Sequence, residues 1–272
     1  MDKNYLIHLL TLAEPELYDH IKSVVKPSHY SDGFYLYVHK DNNLPCLVAH
    51  IDTVHKQKPS KNDIVQVGDV ITNTKGGLGA DDRAGVYALL QLKDLPYNLL
   101  FTNFEETGGL GVKKAIADLP ELLLENTCFI EIDRKGTKHY VDYVGAEQEF
   151  LNLFETRGLV PEFGSYSDIY DLSSELGIAS VNLACGYYNQ HTPTESLNLK
   201  ELQSVIDFLK SKSLIEELSA RQYKAEPMRL WYDEFGIDEF GMEEGYEDML
   251  DEPIDDYYDF YKKFHRLYKG WF

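Results

Sequence analysis

The sequence has few cysteines and lacks long apolar runs. Its three cysteines, Cys46, Cys128 and Cys185, stand singly and far apart among 272 residues. This spacing excludes a disulfide framework and indicates buried, reduced thiols. No apolar run approaches the roughly 18 residues that predict a membrane span, and residues 1–14 lack the basic start and unbroken apolar core of a secretory signal. We therefore expect a cytoplasmic protein that does not bind a membrane.

Basic residues are also scarce. The chain has 26 lysines and arginines against 46 aspartates and glutamates, which gives a formal net charge of −20. Because nucleic acids and anionic lipids are bound through clustered cations, we expect neither as a partner. A hydrophobic content of 43% and an aromatic content of 13% are enough for a real core, which argues against disorder of the whole chain.

The acidity is concentrated towards the end of the sequence. Residues 226–259 are strongly acidic and contain a five-residue repeat that begins at Asp233, with a period that fits neither a helix nor a strand. We therefore predict a folded catalytic domain over residues 1–222 and an acidic, aromatic C-terminal tail over residues 223–272. The aromatic content of the tail favours docking on the protein's own core or on a protein partner over a purely solvated extension.

Strand-like and helix-like segments alternate through the first 222 residues. Strands are predicted at 34–39, 46–51, 99–104, 127–132 and 178–184, and helices at 6–25 with a break near Pro15, 84–95, 112–124 and 199–218. The first two strands are expected to be joined by a hairpin-type connection. Strands separated by helices of this length predict an α/β fold, with a mostly parallel mixed sheet that has helices on both faces.

The residues best suited to chemistry follow the strands. The stretches after the strands contain His50, Asp52, Asp81, Glu105, Glu106, Asp133 and His191. In open α/β sheets, ligands bind beyond the carboxyl ends of the strands, and imidazoles with carboxylates form the donor set that zinc accepts in catalytic sites. Two histidines and three carboxylates exceed the needs of one catalytic zinc. The number of donors therefore suggests two divalent ions that share a carboxylate, with Glu105 left as a base.

Five short motifs stand in a recognisable order. They are His50-x-Asp52, Gly79-Ala80-Asp81-Asp82-Arg83-Ala84-Gly85, Glu105-Glu106-Thr107-Gly108, Asp133 and His191. In this order they resemble the co-catalytic di-zinc exopeptidase superfamily, which includes zinc aminopeptidases, peptidase T-like tripeptidases and glutamate carboxypeptidase relatives. The resemblance covers about residues 45–195 and implies an exopeptidase acting on short peptides, in the first place an aminopeptidase. Some relatives insert a lid domain between motifs, but the gaps here are too short to hold one.

The resemblance implies a metal centre with two ions, Zn²⁺ in the first place and Co²⁺ or Mn²⁺ as alternatives. Asp81 resembles the carboxylate that bridges the two ions. His50 and Asp133 resemble the remaining ligands of one ion. Glu106 and His191 resemble those of the other.

Two further roles are implied for residues close to these ligands. Asp52 resembles the acid that orients the imidazole of a ligand histidine. Glu105 resembles the general base that takes a proton from water held between the two ions. The Asp81–Asp82 bond resembles one that is cis in relatives. The chain departs from many relatives at His55, where they have proline.

Three residues are candidates for contacts with the substrate. Asp168 lies in a loop that resembles one bordering the pocket of relatives, and a turn-capping role fits it equally well. Tyr188 and Asn189 precede His191 and either line the substrate site or pack within their loop. Related sites also serve carboxypeptidases and N-acyl-amino-acid amidohydrolases, so both stay alternatives. A binding or regulatory protein that uses the acidic tail is an alternative of another class.

Overall fold

The structure of the protein is a computed structural model that describes residues 1–226. The predicted acidic tail lies outside the described residues from position 227 onwards, and its docking stays a prediction. Tyr223, near the end of the described chain, is buried, and its backbone N–H donates a 2.8 Å hydrogen bond to the carbonyl of Thr127. In the part of the chain that is described, no helix is long and apolar enough to cross a membrane.

Helices and strands alternate along residues 1–226, with more short strands than the sequence predicts. The helices are α1 (Lys3–Thr11), α2 (Glu14–Val25), α3 (Ala80–Leu92), α4 (Leu110–Asp118), α5 (Pro120–Leu123), α6 (Gln148–Glu155), α7 (Asp168–Leu176), α8 (Leu199–Leu209) and α9 (Lys212–Leu218). The strands are β1 (His29–Ser31), β2 (Tyr35–Val38), β3 (Cys46–His50), β4 (Ile64–Val67), β5 (Val70–Asn73), β6 (Asn98–Thr102), β7 (Phe129–Arg134), β8 (His139–Val141), β9 (Val160–Pro161), β10 (Ser180–Ala184), β11 (Tyr187–Tyr188) and β12 (Ser196–Asn198).

A large mixed sheet forms the centre of the domain. Its strand order is β1-β2-β6-β3-β7-β10-β8-β9. The four central strands, β6, β3, β7 and β10, run parallel to one another. All residues of β3, β6 and β10 are buried, as expected of strands that helices cover on both faces. The predicted α/β fold with a mostly parallel sheet is therefore confirmed.

Each face of this sheet has its own hydrophobic core. Along β3, Leu47 and Ala49 belong to a cluster shared with residues of α1, α2, α3 and α8. Cys46 and Val48 belong to a second cluster, shared with residues of α4, α5 and α7. Successive side chains of a strand point to opposite faces, so a continuously apolar strand fills both cores. The three cysteines are free and buried, as predicted.

Three details of the predicted secondary structure are wrong. Strands β2 and β3 do not form a hairpin, because β6 lies between them, antiparallel to β2 and parallel to β3. The helix predicted at 112–124 is two helices, because Pro120 lacks a backbone N–H and starts α5. The helix predicted at 199–218 is also divided, into α8 and α9, with Lys210 and Ser211 between them.

A second, smaller sheet positions one side of the candidate site. It has four antiparallel strands in the order β11-β12-β5-β4, of which the sequence suggested only a segment around β5. Residue Leu197 of β12 lies opposite Ile71 of β5. This pairing holds the segment with His191 beside the segment that leads into α3.

Candidate metal centre

The carboxyl ends of three parallel strands bring His50, Glu105 and Asp133 together. His50 is the last residue of β3, and Asp133 lies near the end of β7. Glu105 begins a 3₁₀ turn, Glu105–Thr107, shortly after β6. Asp81 comes from the beginning of α3, and His191 lies between β11 and β12. The edge of the sheet predicted to carry the chemistry therefore carries these side chains.

The donor atoms at this edge form two triads that share Asp81. The first triad is His50, Asp81 and Asp133, and the second triad is Asp81, Glu106 and His191. Within each triad the donor atoms all lie within 4.8 Å of one another. Nε2 of His50 is 3.1 Å from Oδ1 of Asp81, and Nε2 of His191 is 3.1 Å from its Oδ2. The two oxygens of Asp81 thus face different triads.

The geometry of the second triad tests whether a divalent ion fits. Oε1 of Glu106 is buried and accepts no hydrogen bond, although Nε2 of His191 lies 3.0 Å away. An imidazole nitrogen and a carboxylate oxygen at this separation can form an ion pair with each other, and they are also placed as two ligands of one cation would be. Zinc binds imidazole nitrogen and carboxylate oxygen at about 2.0–2.2 Å, which places tetrahedral neighbours roughly 3.3 Å apart. The residues therefore fit a cation of this size.

Asp52 connects His50 to the two glutamates. Nδ1 of His50 lies 3.1 Å from the backbone carbonyl oxygen of Asp52 and 3.3 Å from its Oδ1. The carboxylate of Asp52 accepts hydrogen bonds from the backbone N–H groups of Glu105, at 3.1 Å, and Glu106, at 3.2 Å. A proton held on Nδ1 leaves the lone pair of Nε2 to face the first triad.

Asp81 and Asp82 have different surroundings. The peptide bond between them is cis, as the resemblance implies, and both have non-helical backbone angles at the beginning of α3. Asp81 belongs to both triads. The buried carboxylate of Asp82 instead accepts hydrogen bonds from the backbone N–H groups of His50, at 3.2 Å, and Gly85, at 2.9 Å. Asp82 therefore connects the end of β3 to α3.

The carboxyl group of Glu105 lies among other acids. Its Oε2 is 4.0 Å from Nε2 of His50, and both glutamates can offer donor atoms together with that histidine. Burial raises the pKa of Glu105 to about 9, and the charges of Asp133 and Asp168 add to the rise. A bound cation lowers the pKa of a neighbouring carboxyl. With a cation bound nearby, Glu105 can therefore both hold and release a proton near neutral pH.

A buried acid on β7, close to the triads, was not predicted from the sequence. Glu131, on β7, is fully buried, and neither of its carboxyl oxygens has a hydrogen-bond partner. Burial, with the charge of Asp133 added, raises the pKa of Glu131 well above the ordinary value. The available signal was a glutamate in the middle of the apolar run Phe129–Ile132.

The predicted substrate residues do not line the cavity in front of the triads. This cavity has a volume of about 290 Å³, and its walls include Arg134, Tyr143, Ser165, Tyr166, Tyr187 and Gln190. Asp168 is fully buried and accepts a hydrogen bond from the hydroxyl of Thr102. Tyr188 donates to Glu201 at 2.7 Å, and Asn189 has a left-handed backbone with φ 54°. Contacts of Asp168, Tyr188 and Asn189 with a substrate stay a prediction.

The buried acids make the stability of the metal-free protein depend on pH. Burial, with neighbouring charges, raises the pKa of Glu105 to about 9 and that of Asp133 to about 7, whereas unfolded carboxyls titrate near pH 4. Contact with Asp81 raises the pKa of His191 to about 9, above an unfolded value of about 6.5. Between about pH 4 and 9 the folded state therefore binds more protons than the unfolded state, and stability falls as the pH rises.

We expect scanning calorimetry in a chelating buffer to show a Tm that decreases from pH 5 to pH 8. Added Zn²⁺ or Co²⁺ should raise the Tm more at pH 8, because the acids are then free to bind it. A Tm of the chelated protein that rises or stays level over this range would contradict the prediction.

The sequence matches no family model and no curated protein. Several solved structures nevertheless share its fold. Aminopeptidase PepT from Bacillus cereus is 14% identical with a TM-score of 0.59, over 79% of this chain and 97% of that one. A tripeptidase from Staphylococcus aureus is 13% identical with a TM-score of 0.61, over 80% and 98%. An aminopeptidase from the archaeon Desulfurococcus kamchatkensis is 13% identical with a TM-score of 0.56, over 79% and 94%.

At these identities the likeness shows the fold. The chain has the α/β fold of these aminopeptidases and of the tripeptidase, so the resemblance found in the sequence is confirmed for the fold. The chain combines this fold with a cluster of histidines and acids that could hold a metal ion.

Proposed function

We propose that this chain is a metal-dependent exopeptidase that removes amino-terminal residues from short peptides. The observation that supports the proposal is the pair of triads joined through Asp81, with Glu105 beside them. Each triad would hold one divalent ion. Zinc suits these donors best, and Co²⁺ or Mn²⁺ accepts the same set.

The chain's own groups determine how protons move. When bound, the ions would lower the pKa of water towards about 7 and would polarise the scissile carbonyl. Glu105 takes the proton from the attacking water, holds it on its carboxyl and delivers it to the departing amine as the C–N bond breaks. Asp52 keeps Glu105 in place through the backbone N–H and orients His50 through Nδ1.

The cavity in front of the triads carries charged groups of both signs. Four acids line it, Asp81, Glu105, Glu106 and Asp133, and Arg134 is the one lysine or arginine among the described lining residues. The guanidinium of Arg134 already donates to Glu162 and to the carbonyl of Phe163. Two bound divalent ions would bring four positive charges that balance these four acids, so the choice of cleavage at the amino end rests on the related folds and not on charge. The aminopeptidases and the tripeptidase with the same fold support cleavage at the amino end.

Metal analysis combined with a substrate panel tests this function. We expect about two ions per chain after reconstitution and hydrolysis of aminoacyl anilides and short peptides with a free amino end. If cleavage is restricted to amino-blocked peptides or to N-acyl amino acids, the proposed substrate class is wrong and the proposed metal centre still stands. Stoichiometric ions without any hydrolysis would favour the non-catalytic alternative. A protein that binds no ion would end the proposal.

A further inference from the structure

A buried glutamate outside both triads joins the segments that carry two of their donors. Glu195 lies shortly after the turn that contains His191 and is fully buried. Its Oε2 accepts hydrogen bonds from the backbone N–H groups of Leu78, at 3.0 Å, and Gly79, at 2.7 Å. Its Oε1 accepts one from the backbone N–H of Asp81, at 3.0 Å. The carboxylate of Glu195 therefore binds the backbone of the segment 78–81, which ends at Asp81.

The same carboxylate contacts His55. Nε2 of His55 lies 2.7 Å from Oε2 of Glu195, and the side chain of His55 is 15% exposed. A Cβ at Gly77 would lie 2.0 Å from the ring of His55, so the ring packs directly on that backbone. Glu195 thus has three backbone N–H groups and one imidazole as partners, which is a full set for a buried carboxylate.

We infer that Glu195 is a positioning residue for the metal centre, an inference that rests on the proposed function. Its backbone N–H donates to the carbonyl of Thr192 at 3.2 Å, which ties Glu195 to the turn that carries His191. Its carboxylate accepts the hydrogen bond from the backbone N–H of Asp81. Two of the three donors of the second triad therefore lie on the segments that Glu195 joins, but only one donor of the first triad does. Loss of Glu195 should loosen the second triad more.

A glutamine cannot take over this role. An ionised carboxylate only accepts hydrogen bonds, whereas the amide of glutamine has one accepting oxygen and one donating NH₂ group. In one orientation the NH₂ group would face the N–H of Asp81. In the other it would face the N–H groups of Leu78 and Gly79. In either orientation the NH₂ group of the glutamine faces a buried backbone N–H group. Both are hydrogen-bond donors, so that N–H group is left without an acceptor.

Stepwise titration with Co²⁺ tests the inference without any peptide substrate. The metal-free, full-length protein is titrated, and the two binding steps are followed by calorimetry and by the visible absorption of the ion. We expect Glu195→Gln to weaken one step by about 10–100-fold and the other by a clearly smaller factor. Glu216→Gln is the matched control, because that side chain is 66% exposed on α9, and it should bind like the wild type.

Other outcomes overturn the inference. Unchanged affinities in Glu195→Gln would show that it does not position the donors, and equal weakening of both steps would indicate a general structural role. Wild-type protein that binds fewer than two ions would contradict the proposed function itself, and the inference with it.

A second variant separates positioning from a folding defect. His55→Phe keeps a ring over Gly77 and the three backbone hydrogen bonds of Glu195, and it removes only the imidazole partner. We expect the ratio of the two affinities to shift in the same direction as in Glu195→Gln, by a smaller factor, with a wild-type circular dichroism spectrum. If Glu195→Gln does not fold, His55→Phe provides the test, and an unchanged ratio in it contradicts the inference.

Discussion

Replacement of Glu105 by glutamine is expected to lower kcat by about 10²–10⁴-fold and to leave the cation content at the wild-type value. Glutamine has the shape of glutamate and keeps the backbone N–H that donates to Asp52. It cannot carry a proton between water and the leaving amine. The variant therefore removes the proton transfer and leaves the donors of both triads in place.

The neighbouring glutamate provides a matched control. Glu106→Gln is the same change one residue further along, but it alters a donor of the second triad. We expect it to lower both the cation content and kcat, whereas Glu105→Gln lowers kcat alone. Initial rates on the best substrate and elemental analysis of both variants give the comparison. Full activity in Glu105→Gln would assign the base elsewhere, and loss of cation in it would place Glu105 among the ligands.

Replacement of Asp81 by alanine is expected to abolish binding of both cations and to remove activity to at least the extent of Glu105→Gln. Asp81 belongs to both triads, and its two oxygens lie 3.1 Å from His50 and from His191. Burial opposes ionisation, but contact with the two histidines lowers the pKa of Asp81, so the carboxylate is charged and ready to bind. Without it, each triad has two donors left, fewer than a catalytic zinc takes from a protein.

His191→Ala is the control for this variant. His191 belongs to the second triad alone, and its side chain is 49% exposed, so the fold should tolerate its removal. We expect this variant to retain about one cation per chain by elemental analysis, and Asp81→Ala to retain none. Equal cation contents in the two variants would show that Asp81 is not shared.

Much of the candidate site could be predicted from the sequence, because its donors follow strands of strongly apolar character. The run Cys46-Leu-Val-Ala-His is typical of a strand that is covered on both faces, and this places His50 at the carboxyl edge of the sheet. The same argument applies to Asp133 after the run Phe129–Ile132. Periodicity and composition are local properties, so the sequence shows them directly.

The course of the chain between these strands was decided by tertiary contacts. β6 separates β2 from β3 because it pairs with both of them, and no local pattern in β2 or β3 reveals a third strand. Glu195 is an ordinary glutamate in the sequence, at the end of the stretch His191-Thr-Pro-Thr-Glu195. Its role depends on N–H groups more than a hundred positions earlier in the chain.

The sequence by itself determined the layered α/β fold and which donors stand at the ends of its strands, since apolar patterns and strand propensities act between near neighbours. Only the tertiary structure decided that Asp81 faces both histidines, that Glu131 is buried without a hydrogen-bond partner, and that Asp168 is buried. These properties depend on distance, burial and charge among residues far apart in the chain, which no local pattern records.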